Sequence, residues 1–149
     1  RGTGVRRGKL QLFLGWTASN IRTARKRLSM EGKKNAFAGS VIDPRALVAY
    51  QDGAVVSRAL VTKKAGTITA FAFDAGEGLS EHTAPYDAVV QVLEGEAGIT
   101  VGGRPYTLAA GEMIVMPATI PHALFARVPF KMLLVVIHEC EKNALENQA

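Results

Sequence analysis

Between residues 54 and 138 the chain is cut by turn residues at such short intervals that no long helix fits between them. Runs rich in Val, Ile, Thr and Phe alternate with Lys63-Lys64-Ala65-Gly66, Gly76-Glu77-Gly78, Glu94-Gly95, Gly102-Gly103, Ala110-Gly111 and the stretch from Pro117 to Pro121. The runs 54–62, 67–74, 87–93, 97–101, 104–108, 112–116, 122–127 and 130–138 therefore read as strands. Short strands with turn signals between them and no helical stripe predict an all-β sandwich or barrel. Gly102-Gly103 suits a two-residue hairpin turn, because both glycines accept positive φ. Pro105 has no amide hydrogen, which suggests that its strand lies at an edge or rim. The apolar run 130–137 suits either the core or a subunit interface, and residues 139–149 could form one or two helical turns.

The length of 149 residues suits one domain with a core of its own. The longest aliphatic run, 132–137, is far shorter than the ~20 residues of a membrane helix, so no membrane partner is expected. Cys140 is the only cysteine, which excludes an internal disulfide and points to a reducing, cytoplasmic setting. Charge is distributed unevenly. Residues 1–34 carry ten Lys and Arg against Glu31 alone, a net +9, while the remainder carries −4, giving the total of +5. Residues 1–34 are expected to be a basic extension, disordered or non-native (a start at Met30 would remove residues 1–29), and residues 35–149 the folded barrel. Nucleic-acid binding would rest on the extension alone.

Two stretches have a spacing of their own. In the first, Gly76, His82 and Gly95 frame the segment His82-Thr83-Ala84-Pro85-Tyr86-Asp87-Ala88. In the second, Gly111, Pro117 and His122 are followed by Ala126. Their order resembles the two motifs of the cupin superfamily, over roughly residues 54–137. The resemblance implies a cupin jelly-roll β-barrel, the RmlC-like architecture, and a homodimer. The first family motif has a second His where Ala84 stands and a Glu where Ala88 stands. In the second motif Thr119 replaces a Gly and Ala126 an Asn. Of the four side chains that bind metal in a full cupin, His82 and His122 remain. The segment His-x-x-Pro-x-Asp-Ala is similar to a subgroup of short cupins with no assigned substrate.

Strand alternation places residues of one parity on one face. With His82 and His122 inward, Ala84, Ala88, Val90 and Leu124 are expected beside them in a mostly apolar pocket suited to a small organic ligand. No cofactor is required by this set. A weakly held divalent transition metal on His82 and His122 is the alternative, with Asp87, Glu81 or Gln91 as a third ligand only where the strand is irregular. The expected function is small-ligand binding. The alternative is a metal-dependent oxygenase, isomerase or lyase acting on a small carbonyl or sugar-like substrate. His138 reads as a surface or dimer-contact residue. Phosphate-cradling glycine loops, paired-cysteine zinc patterns and serine nucleophile elbows are absent from the sequence.

Overall fold

The computed structural model describes residues 35–139. The basic segment 1–34, Cys140 and the tail after it lie outside the described residues. The unit that carries the sheets begins at Gly39. Its elements are a short 3-10 turn, Pro44–Leu47, and strands β1 (Val55–Lys63), β2 (Gly66–Phe73), β3 (Gly78–His82), β4 (Asp87–Glu94), β5 (Glu96–Val101), β6 (Arg104–Ala109), β7 (Met113–Met116), β8 (His122–Phe125) and β9 (Phe130–Ile137). No described helix is long and apolar enough to cross a membrane.

All strand pairings are antiparallel, in two sheets ordered β1-β2-β9-β4-β7 and β3-β8-β5-β6. This is an all-β jelly-roll sandwich, as the turn spacing predicts. The runs read as strands are all present, with ends shifted by a residue or two. Gly102 and Gly103 both have positive φ, 56° and 78°, and Arg104–Ala109, which contains Pro105, is an edge strand. The strand missing from the sequence reading is β3. Its residues are polar and half-exposed, and the glycines before it resemble a plain turn.

The core follows from alternation. Phe71 and Phe73 of β2 pair in register with Met132 and Phe130 of β9, and Val92 of β4 pairs with Met132. All five are almost fully buried. The Phe73 and Phe130 rings stack with centroids 4.5 Å apart. Each such side chain contributes about 1.5–3 kcal/mol by leaving water. β2 is buried on successive residues, Thr69 to Phe73, because it is covered on both faces. On its outer face Val48 packs with Ala70 and Ala72, flanked by Leu47, Val56, Leu60 and Leu133. Tyr50 donates to Glu94 Oε1 at 2.9 Å, and Lys131 donates to the Arg45 carbonyl at 2.9 Å, which holds this covering segment down.

Gly95 turns the chain from one sheet to the other with φ +76°. A Cβ there would meet the Pro129 carbonyl oxygen and lie about 3.0 Å from Phe130 Cα. Gly76 also has positive φ, +85°, but faces open space. We expect Gly76→Ala to cost only the left-handed penalty of about 1–2 kcal/mol. Gly95→Ala should cost more than about 3 kcal/mol, since backbone must move as well. Paired urea melts check this, and equal losses at the two positions would contradict it.

Candidate functional site

His82 ends β3 and His122 begins β8, and the two are Cα partners across the ladder. The register slips between Leu79 and His82, so β3 carries an extra residue there. That bulge is what returns His82 to the face of His122. The imidazole centroids lie 4.5 Å apart at an interplanar angle of 66°. His122 is only 4% exposed, whereas His82 is open to solvent.

Both rings are anchored in the same way. His82 Nδ1 is 2.9 Å from the Ser80 carbonyl oxygen, and His122 Nδ1 is 3.0 Å from that of Ile120. A carbonyl oxygen can only accept, so each Nδ1 carries the hydrogen and donates it. In the neutral ring each Nε2 is then a bare acceptor. The pair offers two lone pairs to whatever approaches it.

The cross-strand row continues from His122 to Val101 and on to Arg104. The Arg104 guanidinium lies over the Tyr106 ring, 5.5 Å from its centroid. On the five-stranded sheet, Ala88 pairs with Met116 on one side and Val136 on the other, and Val136 pairs with Thr67. Chain connection sets these two rows at one end of the sandwich, since only five residues lie between His82 and Ala88 and five between Met116 and His122. Ala88, Val90 and Leu124 are buried, on the faces that parity assigns them. Ala84 is placed differently from the strand argument. It lies half-buried in the loop after β3, where its carbonyl accepts from Thr119 N at 2.7 Å.

The loops at this end are tied to each other. Asp87 Oδ1 accepts from Ala118 N at 2.8 Å, so its carboxylate braces the loop before His122. Gly102 N donates to the Pro121 carbonyl at 2.8 Å. Thr119 has φ 66°, the left-handed region in which a β-branched residue is strained. This is where the family motif has glycine, which explains the preference. His138 Nδ1 donates to the Lys64 carbonyl at 2.8 Å and its ring rests 4.3 Å from that of Tyr86.

A three- or four-ligand metal centre does not fit these residues. Ala84 and Ala88 have no donor atoms, Asp87 is engaged elsewhere, Glu81 is exposed, and Gln91 pairs with Met113 and Leu133 on the opposite face from Ala88. Among the described residues no three His, Cys, Asp or Glu side chains come together in a metal-holding group. A cavity of about 150 Å³ lies against Gly98, Thr107, Phe125 and Glu96 of the four-stranded sheet and Arg127 just beyond β8; Leu124 also lines it, and neither histidine does. It went unread in the sequence. Gly98, a missing side chain in the middle of a strand, was its only signal.

A family model described as a cupin domain matches residues 70–137. A conserved protein of unknown function from Streptococcus pyogenes is 39% identical, with a TM-score of 0.68, and the similarity covers 75% of this chain and 98% of that one. A cupin 2 conserved barrel domain protein from Leptotrichia buccalis is 43% identical (TM-score 0.62), covering 63% of this chain and just under half, 46%, of that one. A cupin superfamily protein from Desulfitobacterium hafniense is 28% identical (TM-score 0.66), covering 71% and 97%. No curated protein matches the chain.

Burial pushes the His122 pKa below its ordinary value, the Ile120 carbonyl opposes that shift, and His82 adds to it. The unfolded chain therefore takes up this proton at higher pH than the folded one. Stability should be fully present above about pH 6.5 and fall as the pH drops through that value, levelling off below the folded pKa. His122→Gln should remove this part of the slope in melts between about pH 5 and 7. An unchanged slope would show that His122 does not carry it.

Proposed function

The chain belongs to the cupin superfamily, and we propose that it is a binding module whose His82–His122 pair holds a small, oxygen-bearing organic molecule. The observation that supports the reading is the pair of Nε2 lone pairs, held in place by the Nδ1 bonds to Ser80 and Ile120. In this reading the buried small and aliphatic side chains Ala88, Val90 and Leu124 form the facing wall, leaving room for carbon and supplying little competing polarity. A metal-dependent enzyme is the second reading. In its favour is the same anchoring, since metal-bound histidines commonly fix their second nitrogen on a carbonyl. Against it stand the two alanines.

Metal content by mass spectrometry, together with thermal shift against a mixed metabolite library, separates the two readings. We expect no stoichiometric metal. We also expect a melting-temperature rise with a metabolite fraction that is lost in the His82→Ala/His122→Ala protein. Metal at one equivalent, lost in that double variant, would put the enzyme reading first.

The homodimer belongs to the same proposal. On the outer face of the five-stranded sheet, Val115, Val89, Val135, Ile68 and Val61 form one cross-strand row. Val115, Met113 and Ile137 are more than half exposed, at 57%, 60% and 53%. An uncharged, flat aliphatic row suits a second copy of itself, because a two-fold interface must be self-complementary. A reducing, cytoplasmic setting completes the reading, as the lone cysteine requires no oxidising compartment. Sedimentation should give a dimer for the parent and a monomer for Val115→Glu with unchanged circular dichroism. A parent that sediments as a monomer would end the dimer proposal.

A further inference from the structure

Thr67 opens the inner row of the five-stranded sheet, Thr67–Val136–Ala88–Met116, at the end of the sandwich that carries the histidines. The chain passes from β2 to β3 through only residues 74–77, so these two strands face each other across the corner. Thr67 near the start of β2 and His82 at the end of β3 therefore stand at the same end. The Thr67 hydroxyl oxygen is buried and has no hydrogen-bond partner among the described residues. Buried hydroxyls in folded proteins are nearly always partnered, so one left alone on an inner face marks a place where something else supplies the partner.

The remaining lining restricts what that partner can be. Two Nε2 acceptors repel a carboxylate and attract hydrogen-bond donors. The Thr67 hydroxyl can donate or accept. Arg104, the one charged residue in the histidine row, is turned onto Tyr106. The facing row contains no charged side chain.

Resting on the binding reading above, we propose that Thr67 is a third polar contact of the His82–His122 pocket, and that the pocket takes a small neutral compound bearing several hydroxyl groups. Two of its hydroxyls donate to His82 Nε2 and His122 Nε2, and a third exchanges a hydrogen bond with Thr67 Oγ1. The small side chain of Ala88 on the facing row leaves room for the carbon skeleton.

The test uses the full chain, with imidazole nitrogens followed by NMR and assigned through single histidine variants. Three probes are titrated: xylitol as the neutral polyol, succinate as the anion, and n-pentanol as the apolar alcohol. Xylitol should shift both Nε2 resonances saturably, and succinate should not. Thr67→Val should weaken xylitol binding by roughly five- to ten-fold, the range of one neutral hydrogen bond, without lowering the melting temperature of the free protein. Thr67→Ser should bind like the parent, which covers the case in which the valine variant folds poorly. Succinate or pentanol moving the resonances in place of xylitol would overturn the ligand class and leave the pocket standing. Equal xylitol affinity in Thr67→Val would overturn the role of Thr67 and assign its hydroxyl to a structural water only. Silence from all three probes overturns the proposal, and the metabolite thermal shift then decides whether the pocket falls with it.

Discussion

Close packing between the two sheets divides the sandwich into unequal halves. At one end Phe71, Phe73, Phe130 and Met132 fill the space with large side chains, and the Phe73–Phe130 stack locks β2 to β9. At the other end the facing row is Thr67, Val136, Ala88 and Met116. Interiors tolerate little empty space, so stability is concentrated in the aromatic half. That frees the other half to use small residues and to hold two imidazoles that contribute nothing to packing comparable with a phenylalanine.

The histidine end is instead held by polar ties. The Asp87 carboxylate braces Ala118, the Ala84 carbonyl receives the Thr119 amide, and the Pro121 carbonyl receives that of Gly102. These bonds fix the loop from Pro117 to Pro121 and hence the point at which β8 begins with His122. Thr119 retains its left-handed backbone against its own steric preference, so the loop is held by its surroundings rather than by local propensity. A metal-binding cupin spends an acidic side chain one position along, at 88. Here the neighbouring Asp87 serves the scaffold.

The sequence revealed most of this architecture because turn chemistry is local. Gly102-Gly103, Pro105 and the strand runs need no knowledge of distant partners to be read. Alternation likewise placed Ala88, Val90, His122 and Leu124 correctly on their faces. It failed where regularity failed. β3 is bulged and polar, so its residues carry no period-two signal, and Ala84 falls past the strand end where parity has no meaning. Thr67 was invisible for a different reason. A threonine in a β-rich run is ordinary, and only three-dimensional accounting of its hydroxyl distinguishes it from Thr69, two residues on. The cover over Ala70 and Ala72 by the Val48 segment was equally non-local.

The two imidazoles differ in how firmly the fold owns them. His122 sits on an interior strand, bonded to neighbours on both sides, while His82 closes a five-residue edge strand whose ladder is interrupted by its bulge. Edge segments with few buried contacts open at lower free energy than the body of a sheet. Fraying of β3 would carry His82 away and leave His122 in place. The site thus consists of a fixed wall and a movable one. The time a guest spends inside is then governed by how often a short strand detaches and returns, and residence becomes a property of the scaffold's breathing as much as of the bonds the guest makes.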